Sequence, residues 1–151
     1  MEVINDEPEL LLAMREPSER GAAASANRQI GAAMTAFPAL DHIALTVPNV
    51  VDQVERLTTA FGMVAQLRSE HFAVVVDPVS DFKLELSTSD DGEVHVRHLG
   101  FRTDDVDSAH ATLLAAGMEA SGAPHRQDFA RMYTSYLKQP GGVEVQLVKY
   151  D

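Results

Sequence analysis

The chain has 151 residues, enough for one domain or for one domain with an appended tail. Its 23 acidic residues outnumber its 12 lysines and arginines, and the formal net charge of -11 argues against binding to nucleic acid or to an anionic membrane. The absence of cysteine excludes disulfides, thiolate metal ligands and a cysteine nucleophile. Neither a signal-peptide pattern nor an apolar run of membrane-spanning length is present, so the expected location is the cytoplasm.

Residues 1–37 differ in composition from the rest of the chain. Pro8 and Pro17 interrupt them, and residues 21–34 are rich in alanine with few bulky apolar side chains. This composition predicts a flexible extension or short helices, with a helix that docks on a partner subunit as the alternative. The predicted folded domain therefore spans residues 38–151.

A first module of one helix and four strands is predicted over residues 38–88. Leu40–Val47 alternates apolar and other residues, as a strand with one buried face does. Pro48-Asn49 starts a helix that ends before Gly62. Three further strands are predicted at Val64–Ser69, Phe72–Val76 and Phe82–Ser87.

The same order of elements recurs over residues 94–151. Val94–Thr103 is a predicted strand, and Asp104-Asp105 caps a helix that ends at Gly117. Residues 122–128 are predicted to form a loop. The last two strands are predicted at Arg131–Leu137 and Val143–Tyr150.

The second module also repeats the first in its residues. His42-Ile43-Ala44-Leu45 matches His98-Leu99-Gly100-Phe101, and Lys83-Leu84-Glu85-Leu86 matches Glu144-Val145-Gln146-Leu147. Because each copy must solve the same packing problem, an internal repeat is strong support for a fold. The repeat predicts an α+β protein in which two β-α-β-β-β modules form a curved mixed sheet around a metal-binding cleft.

The predicted metal site lies where the two modules meet. A two-fold relation between them would bring four polar side chains towards one centre: His42, Glu85, His98 and Gln146. Two imidazoles with carboxylate and amide oxygens suit a divalent ion such as Zn²⁺, Ni²⁺, Mn²⁺, Fe²⁺ or Co²⁺. These ligands would leave room for water or a substrate, as a catalytic metal requires.

The charge of this ligand set constrains its chemistry. With Glu85 as the only anionic ligand, a divalent centre keeps a net positive charge and favours an anionic oxygen, such as a carboxylate or a forming enolate. Gln146 cannot accept a proton. The predicted base is therefore Glu144, two residues away on the same strand face, or Glu85 after it leaves the metal.

A structural interpretation competes with the metal site. Inward histidines are often hydrogen-bonded core residues, Glu85 can be an exposed strand residue, and Gln146 can be a polar neighbour without coordination. The remaining histidines are assigned to the surface or to loops: His71, His95, His110 and His125. Three cations are candidates for binding an anionic substrate group, with a solvated charge as the preferred interpretation of each: Arg68, Lys83 and Arg102.

From Leu40 to Tyr150 the chain resembles the vicinal oxygen chelate superfamily, which is also called the glyoxalase, bleomycin-resistance and extradiol dioxygenase superfamily. The resemblance is carried, in order, by Asp41-His42-Ile43-Ala44-Leu45, Lys83-Leu84-Glu85-Leu86, His98-Leu99-Gly100-Phe101 and Pro140-Gly141-Gly142-Val143-Glu144-Val145-Gln146-Leu147. It implies metal ligands at His42, Glu85, His98 and Gln146, a pattern similar to glyoxalase I and methylmalonyl-CoA epimerase. The commonest family pattern has glutamate where Gln146 stands.

The resemblance implies a metal-dependent lyase or isomerase of the glyoxalase type. Such a protein chelates a small substrate, anionic or carbonyl-bearing, and stabilises an enolate-like intermediate. Two alternatives stay open: a metal-free binding or resistance protein of the same fold, and a non-haem iron oxygenase that uses His42, His98 and Glu85. A homodimer is expected, because open edges of curved sheets usually need covering.

Overall fold

The structure, a computed structural model, describes residues 37–151. The predicted extension over residues 1–37 lies outside the described residues except for Phe37, and it stays a prediction. Residues Pro38–Asp151 form one compact unit. No helix in the described part of the chain is long and apolar enough to cross a membrane.

The first module consists of β1 (Ala39–Val47), α1 (Val50–Phe61), β2 (Val64–Arg68), β3 (Phe72–Val76) and β4 (Lys83–Thr88). Asn49 begins α1, because its side chain accepts a hydrogen bond from the backbone N–H of Asp52 at 3.0 Å. Gly62 ends the helix in the left-handed conformation, at a φ of 66°. The predicted elements of this module are confirmed.

The second module consists of β5 (His95–Arg102), α2 (Val106–Ala115), β6 (Glu119–Ala120), β7 (His125–Gln127), β8 (Met132–Lys138) and β9 (Glu144–Tyr150). Asp105 caps α2 by accepting a hydrogen bond from the backbone N–H of Ser108. The prediction of a loop over residues 122–128 is wrong, because β7 pairs with β8 there. This strand is short and polar, so it carries no apolar alternation by which a sequence would reveal it.

The strands form a single mixed sheet in the order β2-β3-β4-β1-β5-β9-β8-β6, with β7 also paired to β8. The first and last long strands of each module are parallel neighbours, β1 with β4 and β5 with β9. The modules meet at the antiparallel pair β1–β5. The sheet is open, and the predicted α+β fold with two related modules is confirmed.

Each module has its own hydrophobic core beneath its helix. In the first module the core is formed by α1 against the sheet, with Val50, Val54, Val75 and Leu86 buried in it. In the second module α2 packs in the same way, with Val106, Leu137 and Leu147 buried. Both helices bury apolar side chains against one face of the sheet. The polar side chains of β1, β4, β5 and β9 that point to the other face are therefore available to form a site there.

Candidate metal centre

Two histidines face each other across the junction between the modules. In the register of the β1–β5 pair, His42 lies opposite Gly100, and His98 lies opposite Ala44. A Cβ atom on Gly100 would overlap the His42 ring, so the imidazole occupies the space that this glycine leaves open. Each histidine therefore has a small residue as its partner on the other strand. This arrangement brings the two Nε2 atoms to 3.2 Å from each other.

The parallel strands beside this pair add two oxygen donors. Glu85 on β4 lies next to Ala44, and Gln146 on β9 lies next to Gly100. Gln146 Oε1 is 3.0 Å from His42 Nε2, and Glu85 places Oε1 3.6 Å from His42 Nε2 and Oε2 3.8 Å from His98 Nε2. The structure thus brings together the four side chains that the sequence repeat placed at one centre.

A β-bulge at Asp41 orients His42. Leu40 pairs with Phe101 and His42 pairs with Gly100, so Asp41 is an extra residue on β1. Neighbouring side chains on a regular strand point to opposite faces, but a bulge can turn one of them. Asp41 Oδ2 accepts a hydrogen bond from His42 Nδ1 at 2.9 Å. Since Nδ1 carries the proton, Nε2 presents its lone pair to the centre.

Two further contacts hold the Asp41 carboxylate in place. Lys83 Nζ lies 3.1 Å from Oδ1, and the Tyr150 hydroxyl donates to Oδ2 at 2.7 Å. Burial raises the pKa of Asp41, but the hydrogen bonds from His42, Tyr150 and Lys83 outweigh it and hold this pKa well below its usual range. Asp41 is therefore an anion that supports His42 from behind.

The amide of Gln146 is oriented by Thr134. The Thr134 hydroxyl donates to the carbonyl oxygen of Leu147 at 2.7 Å, which leaves the hydroxyl oxygen free to accept the Gln146 Nε2–H at 3.0 Å. With Nε2 used in this way, Gln146 Oε1 must face the histidines. His42 Nε2 and Gln146 Oε1 consequently point lone pairs at one another, and only a cation or a proton between them satisfies both.

The electrostatics of the centre favour a positive charge at this point. Burial lowers the pKa of His42, but the hydrogen bond to Asp41 and the charges of Glu85 and Asp41 outweigh it, so the pKa lies above its ordinary value. Burial and the neighbouring charges of His42 and Arg97 lower the pKa of His98 to about 4. The pair is thus suited to one cation, either a proton on His42 or an ion shared by both rings.

The donor set fits a divalent metal ion. His42, Glu85 and His98 each present a ligand atom within 4.8 Å of the others, and this group can hold a metal. Donors bound to one ion at about 2.1 Å lie roughly 3.0–3.5 Å apart, and the separations of 3.0 and 3.2 Å at His42 agree with this. The carboxylate of Glu85 is slightly farther away, at 3.6 Å from His42 Nε2 and 3.8 Å from His98 Nε2. Imidazole and oxygen donors together suit Zn²⁺, Ni²⁺, Mn²⁺, Fe²⁺ or Co²⁺.

The centre opens into a cleft with a volume of about 740 Å³. Side chains from both modules line this cleft, among them Glu85, Arg97, Tyr136, Glu144 and Gln146. The Ser121 hydroxyl donates to Glu144 Oε2 at 3.1 Å, and the Tyr136 ring meets the His98 ring edge-on at 5.7 Å between centroids. Both predicted bases, Glu144 and Glu85, therefore line the cleft, and Glu144 is on the strand that also carries Gln146.

Other sequence-based assignments meet with mixed outcomes. His71, His95 and His125 are exposed, as expected, but His110 is buried on α2, so its assignment to the surface is wrong. Lys83 is paired with Asp41 and is not simply solvated. Sequence reasoning missed the contributions of Asp41, Tyr150, Thr134 and Arg97. Asp41 and Arg97 directly precede the two histidines in the sequence, and this adjacency is the local signal that could have indicated them.

The structure defines a class of proteins built from two paired modules. In this class the modules meet at a group that can hold a metal ion, here His42, Glu85 and His98, and a cleft lies in front of that group. The chain belongs to the Glyoxalase/Bleomycin resistance protein/Dioxygenase superfamily, whose family model matches residues 1–147. The resemblance carried by the four sequence motifs is thereby confirmed. The comparison with curated proteins finds no match.

Solved structures with the same fold include several methylmalonyl-CoA epimerases. One, in selenomethionine form, is 18% identical, covers 76% of this chain and 97% of its own, and has a TM-score of 0.63. That from Mycobacterium tuberculosis is 19% identical, covers 75% of this chain and 88% of its own, and has a TM-score of 0.61. A Streptomyces coelicolor variant in complex with 2-nitronate-propionyl-CoA is 20% identical, with coverages of 76% and 98% and a TM-score of 0.58. At these identities the likeness shows the fold.

The substitution Gln146→Glu is expected to tighten metal binding about tenfold, or about 1.4 kcal/mol. The new carboxylate adds a negative charge beside the ion. It also replaces the amide donor to Thr134 in a buried position, which destabilises the metal-free protein by about 1–3 kcal/mol. Competition with a chelator measures the affinity, and urea unfolding of the metal-free protein measures the stability.

Gln53→Glu on α1 is the matched control, because it adds the same charge to the other side of the sheet and should change neither quantity by much. Unchanged metal affinity in Gln146→Glu would mean that Gln146 does not contact the ion. The centre would then have His42, His98 and Glu85 as its three ligands.

Proposed function

We propose that this protein is a metal-dependent lyase or isomerase of the glyoxalase type, acting on a small substrate that binds through adjacent oxygen atoms. The observation that carries the proposal is the convergence of His42, Glu85, His98 and Gln146. Of these side chains, Glu85, His98 and Gln146 line an open cleft, and His42 is buried behind them. A buried structural site would be closed on all sides, whereas a cleft leaves access for a substrate.

His42, Glu85, His98 and Gln146 would hold the ion, which would supply Lewis acidity to a carbonyl next to the bond to be broken. His42 and His98 are held by the sheet and by Asp41, so their donor atoms do not need to reorganise. Gln146 contributes an oxygen without a charge, which leaves the centre more positive than one with two carboxylates. With an ion bound, this charge would favour an anionic oxygen in the substrate and would suit an enolate-like intermediate.

Glu144 is the proposed base. Both oxygens of Glu85 face the histidines at 3.6 and 3.8 Å, so Glu85 is committed to the centre. Glu144 lies in the same cleft beside His98 in the strand register. Among residues 37–151, the one hydrogen bond to its carboxylate comes from the Ser121 hydroxyl. A carboxylate that is free to accept and return a proton near the substrate is what an isomerase or lyase of this type requires.

The ligands of the similar structures support this substrate class. One is a complex with methylmalonyl-CoA, and another is a complex with 2-nitronate-propionyl-CoA. A nitronate is a planar anion with two adjacent oxygens, so it is a form that a positive centre holds well. The proposed partner of this chain is accordingly a small anionic or carbonyl-bearing molecule. The predicted homodimer and cytoplasmic location remain proposals beside it.

The test is metal-dependent exchange of a substrate proton with solvent. We expect the protein loaded with Co²⁺ or Ni²⁺ to incorporate deuterium from D₂O next to the carbonyl of methylmalonyl-CoA or of a small 2-hydroxy carbonyl compound. Glu144→Gln should slow this exchange by at least about 100-fold and leave the bound metal unchanged. Glu119→Gln, on β6, is the control and should exchange at the rate of the unaltered protein.

Other outcomes would identify the alternatives. Oxygen consumption with Fe²⁺ and no proton exchange would favour an oxygenase that uses His42, His98 and Glu85, a two-histidine, one-carboxylate set that the structure brings together. Stoichiometric binding of a small molecule without turnover or metal would favour a binding protein.

A further inference from the structure

A second β-bulge places Arg97 in the cleft. His98 pairs with Ala44, and Val96 pairs with Leu45, so Arg97 is an extra residue on β5. On a regular strand Arg97 and His98 would point to opposite faces, and the arginine would lie on the side of the helices. The bulge turns it instead to the side of His98, where it lines the cleft.

The two bulges occupy equivalent positions of the duplication. Each one directly precedes a histidine of the centre, as Asp41-His42 in the first module and Arg97-His98 in the second. Asp41 has three partners, namely His42, Lys83 and Tyr150. The side chain of Arg97, by contrast, makes no hydrogen bond and no ion pair within residues 37–151 and is exposed. The β-bulge thus places Asp41 to support the ligand His42 in the first module. In the second module it places the side chain of Arg97, unpaired within residues 37–151, in the cleft.

The charges around Arg97 leave it available for a ligand. Glu85 is directed at the histidines, and Glu144 accepts from Ser121 without forming an ion pair to Arg97. Lys83 and Asp41 compensate each other. When a divalent ion is bound, its charge together with that of Arg97 exceeds the charge of the two cleft carboxylates. The cleft therefore attracts anions.

We propose that Arg97 binds a carboxylate of the substrate, in addition to the oxygen atoms that the substrate presents to the centre. The planar guanidinium offers two parallel N–H donors, which match the two oxygens of a carboxylate. The inference rests on the proposed function for the position of the substrate, and it narrows the substrate class to small molecules with a second anionic group. Arg97 is then a specificity-determining residue.

The experiment compares dicarboxylates with their monoamides, which have nearly the same size but one charge fewer. Binding of malonate and succinate, each against its monoamide, is measured by calorimetry with the Co²⁺-loaded protein and with the metal-free protein. We expect the dicarboxylate to bind about tenfold more tightly than its monoamide, or about 1.4 kcal/mol. Arg97→Gln should abolish this preference, and Arg97→Lys should retain part of it, because the charge remains but the paired donors do not.

Arg102→Gln is the matched control. The sequence also made Arg102 a candidate for binding an anionic group, but this arginine is exposed on the same strand and does not line the cleft. Its preference should equal that of the unaltered protein. Equal losses in Arg97→Gln and Arg102→Gln, or no preference in the unaltered protein, would overturn the proposal.

The metal content of the same samples separates this inference from the proposed function. If the protein binds metal but its preference for a dicarboxylate over the monoamide does not depend on Arg97, then the inference is wrong and the proposed function is unaffected. Absence of bound metal overturns the proposed function, and the preference in the metal-free protein then decides the inference by itself.

Discussion

Replacing either histidine of the centre by alanine is expected to lower metal affinity by at least about 100-fold. Each ring supplies one of the four donors that converge at the centre, where the two Nε2 atoms are 3.2 Å apart, so either substitution removes a donor atom from the site. Elemental analysis after dialysis against a weak chelator measures the retained metal. His42→Ala and His98→Ala should both lose it.

The two variants should differ in stability. The His42 side chain is fully buried and holds the carboxylate of Asp41, so His42→Ala leaves a cavity and a buried anion with one partner fewer. We expect its free energy of unfolding to fall by about 2–4 kcal/mol, with a smaller loss for His98→Ala, whose ring is at the cleft wall. Urea unfolding of the metal-free proteins measures this difference.

His71→Ala is the control for both measurements, because the His71 side chain is 75% exposed. It should retain metal and stability. Full metal content in both centre variants would contradict the site, and this result would be decisive because His98→Ala is expected to remain folded.

Gly100→Ala is expected to disrupt the centre without removing any ligand. The added Cβ atom would overlap the ring of His42, and because the β1–β5 pair fixes both backbones, the ring must turn away. We expect about a 100-fold loss of metal affinity and a decrease in the free energy of unfolding of about 1–3 kcal/mol. Metal titration and thermal unfolding measure the two effects.

Gly142→Ala provides the same substitution outside the centre. Gly142 lies in the exposed turn between β8 and β9, where a Cβ atom would meet only the side chain of Gln139. Its metal affinity should be unchanged. If Gly100→Ala binds metal as tightly as this control, then the ring of His42 does not need the space above Gly100, and the described position of the ring is wrong.

The local sequence determined most of the secondary structure. Asn49 and Gly62 delimit α1 by a side-chain cap and a left-handed residue, and both signals act within a few residues of the helix ends. The alternation of apolar and other residues in β1 is also a local signal, and it predicts which side chains of the strand point to each face of the sheet. The short polar strand β7 was not predicted. It pairs with β8 through backbone hydrogen bonds, and this pairing leaves no pattern in the side chains of β7 itself.

The internal repeat determined more than any single motif. By aligning His42 with His98 and Glu85 with Gln146, it predicts that four side chains lie at one centre. This worked because two copies of one module must pack in equivalent ways. The same alignment pairs Ala44 with Gly100, and the structure shows why both are small, since each lies opposite the histidine of the other module.

Only the tertiary structure decided how the centre is supported and where its charges lie. The bulges at Asp41 and Arg97 arise from a mismatch in pairing between two strands more than fifty residues apart, and simple alternation assigns both residues to the wrong face. The orientation of the Gln146 amide depends on Thr134, which the chain brings near only by pairing β8 with β9. A sequence can indicate which residues carry donors, but the direction of each donor is a property of the folded sheet.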